Sequence, residues 1–121
     1  MTMTSASAPA GSADVTAVDL LAIVAHRDDA ELLCGGTLAR TVAQGYRTGI
    51  LDLTGGERGT SGSADLRGAE AAEAARVLGV TSRANAGLPD AGLQNTDETR
   101  SIVVSWIRRF RPRVVILPFS A

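Results

Sequence analysis

The sequence predicts an α/β fold, a Rossmann-like parallel sheet with flanking helices. Residues 18–25, continuously apolar from Leu20, read as a central strand buried on both faces, since a half-exposed strand would alternate, and the runs at 47–53 and 114–117 read as further strands. Helix-length segments separate the runs, and glycines or prolines punctuate the joins. Strict alternation of strand and helix implies right-handed βαβ crossovers. No internal repeat is present.

Each element has its own grounds. Residues 18–25 form the central strand, and a helix over 28–43 ends near Gly45, with Leu32, Gly36, Ala39 and Ala43 expected on one face. Gly35 and Gly36 cost helix propensity there, which points to close packing against the sheet. A second strand spans 47–53, and the glycine-rich stretch 54–62 is a loop. Ser63 or Asp65 is positioned to cap an alanine-rich helix over 66–78 that Gly79 terminates. A short strand over 83–86 leads into a loop over 87–92. Asn95, with Glu98 three residues on, reads as a capping box for a helix whose buried stripe is Ile102, Val103, Trp106, Ile107 and Phe110. Pro112 ends that helix, and 114–117 is the last strand.

Bulk properties narrow the function classes. With 121 residues, 45% of them hydrophobic, the chain supports one domain with a modest core. A net charge of -1 gives no electrostatic case for nucleic acid or membrane. All 12 basic residues are arginines, which excludes a Schiff-base lysine and a P-loop lysine. Cys34 is alone, so no intramolecular disulfide forms, as suits a reducing cytoplasm; it reads as a small buried helix residue. Residues 1–16 are small, polar and aperiodic, and are expected to be a disordered tail ahead of a domain over 17–121. They lack a basic start, and the apolar run that follows is too short for a signal segment or a membrane span, so the expected location is the cytoplasm.

His26, the only histidine, follows the first strand directly and stands beside Asp28 and Asp29. The three-residue spacing of His26 and Asp29 turns both side chains toward one point, where they would hold a metal ion, with Asp28 as a spare acid for proton transfer. On residue types alone a plainer reading stands beside this one. A histidine after a strand serves as a satisfied polar group, and aspartates before a helix serve as caps favoured by its dipole.

The stretch AHRDDAELLCGGTLA (25–39) resembles the opening motif of the PIG-L/LmbE-like family of zinc-dependent N-acetylglucosamine deacetylases, A-H-P-D-D-x-E-x-x-x-G-G-T-L-A. Further on, DLTGGERGTSG (52–62), RGAEAAEAARVLG (67–79) and LPDAGLQN (88–95) resemble the branch that deacetylates N-acetylglucosaminyl-malate in bacillithiol biosynthesis. The likeness is collinear from about Val18 onward. It implies an LmbE-like fold, with His26 and Asp29 as Zn2+ ligands, Asp28 as general base, and Arg67 and Asp90 facing a small-molecule N-acetylated amino-sugar glycoside. It leaves assembly into a homo-oligomer open.

The chain departs from the family pattern twice. Arg27 replaces the proline that would fix the backbone angle of the motif, which frees the loop or lets the arginine reach substrate or a neighbouring acid. The family's third zinc ligand lies in a histidine-bearing segment after the strand at 114–117, and the sequence contains no second histidine. The expectation is therefore an N-terminal part of a deacetylase domain, incomplete at its C-terminus and catalytically deficient alone. The competing readings are an inactive or regulatory sugar-binding relic without the third ligand, and a nucleotide-binding module.

The nucleotide reading is weak, because the loop at 55–62 lacks both G-x-G-x-x-G spacing and a Walker lysine. That loop reads equally as a surface loop or as a cover for a sugar, through Glu57 or Arg58. Without the resemblance, Arg67 and Glu70 are a surface pair one helical turn apart and Asp90 is a turn former. The arginines at 108, 109, 111 and 113 complement a helix C-terminus rather than suggest nucleic acid, and Trp106 reads as core.

Overall fold

The structure is a computed structural model that describes residues 16–26, 29–55, 64–89 and 93–118, without the side chains at 32, 33 and 64–67. The elements are β1 (Leu20–Val24), α1 (Asp29–Ala43), β2 (Thr48–Thr54), α2 (Ala64–Leu78), β3 (Ser82–Leu88), α3 (Asp97–Phe110) and β4 (Val114–Ile116). All the strand pairs are parallel, in the order β3-β2-β1-β4. The expected α/β fold is observed. The expected tail lies outside the described residues except for Thr16.

Two apolar clusters sandwich the sheet. Leu21, Ile23, Leu51 and Ala84 pack with Trp106 and Phe110 of α3 on one face. Leu20, Ala22, Val24 and Ile50 pack with Ala30 and Leu38 of α1 on the other. β1 is buried along its whole length, which explains its continuous apolar run. Each fully buried Leu or Ile contributes about 2 kcal/mol of transfer free energy. Trp106 is core as read, and the Arg109 guanidinium lies 4.7 Å from its ring centroid.

Several local expectations are corrected. The buried face of α1 runs through Ala30 and Leu38, with Cys34 half-buried between them, whereas Gly36 and Ala43 are exposed. Gly35 and Gly36 do not make a close approach, since a Cβ at either would meet nothing within 4 Å. The helix is instead broken at Cys34, which has φ -146° and ψ 21°. The close approach belongs to Gly49, where a Cβ would stand 2.9 Å from the Phe110 ring.

The N-cap of α3 is Thr96, whose hydroxyl accepts from the Thr99 amide at 3.1 Å, and Asn95 instead accepts from Arg100 at 2.6 Å. Asp65 lies inside α2 as its second residue, while Ser63 is outside the described residues. Gly79 does terminate α2, in left-handed conformation, with its amide and that of Val80 bonded to the Arg76 and Ala75 carbonyls. β3 runs on through Gly87 to Leu88 because the β2–β3 register shifts between Asp52 and Thr54, a bulge that the left-handed Gly87 accommodates. Among the described residues β4 pairs with β1 alone, and Val114 and Leu117 are 57% and 63% exposed.

Candidate metal and active site

The sheet order fixes where chemistry can sit. Strands 1 to 3 proceed outward in one direction, after which α3 carries the chain back to place β4 on the other side of β1. That reversal is a topological switch point, and ligands of open parallel sheets bind in the crevice beyond the carboxyl ends of its strands. His26 stands two residues past the end of β1, at that crevice.

His26 Nδ1 and Asp29 Oδ2 are 3.5 Å apart, with side chains 44% and 32% exposed. Asp29 also accepts the His26 amide at 3.1 Å, while its own amide donates to the His26 carbonyl at 3.2 Å. The helix-start role is thus real, and it is the device that draws the two side chains together. Two donors on a tetrahedral ion at ordinary Zn–N and Zn–O lengths lie about 3.3 Å apart. The nitrogen and oxygen therefore fit two positions of a zinc site. Among the described residues no cluster of three or more His, Cys, Asp or Glu is arranged to hold a metal.

Most of the other site residues read from sequence fall outside what the structure describes. Asp28 and Asp90 lie outside the described residues, as do Arg27, Glu57 and Arg58. Arg67 is in the first turns of α2, with its side chain not described. Glu70 is exposed.

The strand ends below the site are cross-tied. The amide and hydroxyl of Thr54 donate to the Ala25 carbonyl, the Asn85 amide group donates to the Thr54 carbonyl at 2.7 Å, and Gly87 donates to Asn85 Oδ1. Beside them lies an ion cluster that sequence reasoning missed. Arg83 of β3 grips Asp52 of β2 through Nε and Nη2 at 2.8 and 2.9 Å, Glu31 of α1 through Nη1 at 3.0 Å, and the Ala71 carbonyl of α2 at 3.1 Å.

The Arg83 and Asp52 side chains are only 8% and 3% exposed. Burial alone would lower the arginine's pKa, but the hydrogen bonds and charges of Asp52 and Glu31 outweigh it and hold the guanidinium charged well above its ordinary value. Removing one partner of such a buried pair costs roughly 3–5 kcal/mol. A signal for it was present: Asp52 is a lone acid inside an apolar central strand, and a buried carboxylate demands a cation. A cleft of about 160 Å³ between α2 and the sheet is lined by Asp52, Arg83 and Asn85 with Gly68, Ala71 and Ala72. It is smaller than the usual 300 Å³ or more of a small-molecule site.

The Cys34 thiol is pushed above its ordinary pKa by burial and then by the charge of Glu31, which favours the protonated thiol over the nucleophilic thiolate. Among the described residues no helix is long and apolar enough to cross a membrane.

Residues 21–121 match the family model for PIG-L, the GlcNAc-PI de-N-acetylases. The chain belongs to the PIG-L family. It is 32% identical over 107 residues to the diacetylchitobiose deacetylase of Thermococcus kodakarensis, covering 82% of this chain and 40% of that protein. To the mycothiol S-conjugate amidase of Streptomyces coelicolor it is 30% identical, covering 79% of this chain and 42% of the other. Conserved protein TT1542 of Thermus thermophilus superposes with a TM-score of 0.83 at 52% identity, over 86% of this chain and 47% of that one. The 4-carboxy-2-hydroxymuconate hydratase of Pseudomonas putida superposes at 0.69 with 28% identity, over 84% of this chain and 45% of that one. The PIG-L chain thus spans about two-fifths of the length of these curated relatives.

Proposed function

We propose that the PIG-L chain carries the first part of the active site of a zinc-dependent N-deacetylase. The observation that supports this most is the convergence of His26 and Asp29 at the switch point of the sheet, in a family whose model describes a de-N-acetylase. In this reading His26 Nδ1 and an Asp29 carboxylate oxygen would hold the ion, which would supply Lewis-acid chemistry for the acetamide carbonyl. Asp28 takes a proton from the attacking water onto its carboxylate and passes it to the departing amine nitrogen. Arg67 and Asp90 orient the sugar. Acetate and a free glucosamine amine are the products.

The substrate proposed is an N-acetylglucosaminide, and more narrowly N-acetylglucosaminyl-malate, on the likeness of the segments at 52–62 and 88–95 to that branch. Cys34 as the lone cysteine suits a reducing compartment, so the cytoplasm is the proposed location. The likeness to a hydratase favours a second reading, in which the same scaffold adds water across a carbon–carbon double bond.

Calorimetric titration of the chain with zinc tests the metal assignment. One site is expected in the parent and none in His26→Ala or Asp29→Ala, and undiminished binding in both variants would refute the assignment. Acetate release by the whole protein separates deacetylase from hydratase. Faster release from N-acetylglucosaminyl-malate than from free N-acetylglucosamine or an inositol-linked analogue is expected; equal rates would leave only the broader substrate class.

A further inference from the structure

Arg83 joins three elements around the proposed metal pair, and its position suggests more than a structural ion pair. Asp52, which it grips from one side, is paired in register with Val24, the last residue of β1 and two residues before His26. Glu31, which it grips from the other side, lies two residues after Asp29 in the opening turn of α1. The turn that carries His26 and Asp29 is therefore bracketed by two carboxylates held on one guanidinium.

The break at Cys34 gives this bracket its importance. A continuous helix would fix its first turn through the hydrogen bonds of the turns that follow. Here Cys34 has left helical geometry, so residues 29–33 form a short segment whose direction depends on its own anchors. Its described anchors are the two hydrogen bonds between Asp29 and His26, the fully buried Ala30 and the Arg83–Glu31 contact, and of these only the last ties it to the neighbouring strands through a side-chain ion pair.

We propose that Arg83 is a positioning residue for the metal site: by holding Glu31 against Asp52 it sets the angle at which Asp29 meets His26. This rests on the zinc reading given above. The planar fork of arginine is needed for the task, because a point charge cannot serve two carboxylates in fixed directions.

Charge and position make opposite demands on the experiment. If Arg83 acted on a bound cation only through its charge, Arg83→Met would remove a nearby positive group and tighten zinc binding, and Arg83→Lys would change nothing. If it acts by position, both variants bind zinc more weakly. Zinc titrations of the parent chain, Arg83→Lys, Arg83→Met and Glu31→Gln are compared with His26→Ala, with circular dichroism confirming the fold of each. On the order of a tenfold loss is expected for Arg83→Lys, the scale of interactions that orient metal ligands.

Glu31→Gln leaves the buried Arg83–Asp52 pair intact and keeps the test available where the Arg83 variants do not fold. It too is expected to lose affinity, by several-fold. A folded Arg83→Lys or Glu31→Gln that matches the parent in zinc affinity, while His26→Ala has lost it, overturns the positioning role alone. A parent that binds zinc no better than His26→Ala overturns the zinc reading and this inference with it.

Discussion

The hydroxyl and the amide of Thr54 both donate to the carbonyl of Ala25, at 3.0 and 2.9 Å, so the last peptide before His26 is pinned by the neighbouring strand. Thr54 is fully buried, and a buried hydroxyl is kept only where it is satisfied. Thr54→Val preserves the branched shape and leaves the amide bond in place while deleting the hydroxyl. A loss of about 1 kcal/mol in urea unfolding is expected, the net worth of one hydrogen bond. Thr54→Ser keeps that bond and should lose only the methyl contacts; a valine variant as stable as the parent would show that the hydroxyl bond contributes nothing.

The strands and helices were legible because their signals are local: β1 and β2 are runs with no interior polar residue except Asp52, and α3 carries its apolar side chains at helical spacing. The pairing of His26 with Asp29 was legible for the same reason, being a three-residue relation within one turn. The Arg83 cluster was not, since it joins residues 31 and 52 positions apart whose relation exists only once the strands lie side by side. Asn95 and Thr96 are adjacent cap formers, and what decides between them is which hydroxyl or amide oxygen reaches the amide of Thr99. Gly35 and Gly36 were misread because the sequence shows where a side chain is missing but not what would have met it.

Gly49 and Gly36 make that contrast measurable. A methyl at Gly49 would fall 2.9 Å from Cε1 and 3.2 Å from Cδ1 of Phe110, a ring fully buried against β1 and β2 and unable to step aside cheaply. Gly49→Ala is expected to lose about 1–3 kcal/mol through overpacking. Gly36 lies within α1, exposed and with nothing within 4 Å of a new Cβ. Gly36→Ala is expected to gain about 0.5–1 kcal/mol from helix propensity. Equal shifts of the urea midpoint for the two variants would contradict this assignment of roles.

Cys34 offers a pH test. Its thiol pKa is raised in the folded chain by burial and then by Glu31, so the folded state holds the proton to higher pH than the unfolded state does. The associated stability is present below the unfolded pKa and is lost as pH rises through the folded one. Alkylation by iodoacetamide, which needs the thiolate, should be slower in the native chain than in urea at the same neutral to mildly alkaline pH. The expected rate in the native chain rises when Glu31→Gln removes the second cause. Equal native and unfolded rates would show that Cys34 is neither shielded nor perturbed.

Asp28 should be separable from its neighbours, because the proposed roles ask different things of adjacent carboxylates. Asp29 must lend an oxygen to the ion and also accepts the His26 amide, so Asp29→Asn is expected to lose zinc and loosen the turn. Asp28 has only to exchange a proton, and an amide of the same shape cannot. In the whole protein Asp28→Asn is therefore expected to retain fold and zinc while deacetylation falls on the order of a hundredfold or more, the usual scale for general acid–base groups. Zinc content and acetate release measured on the same preparation decide the matter. Near-parent turnover would remove Asp28 from the mechanism, and loss of zinc together with turnover would make it a ligand.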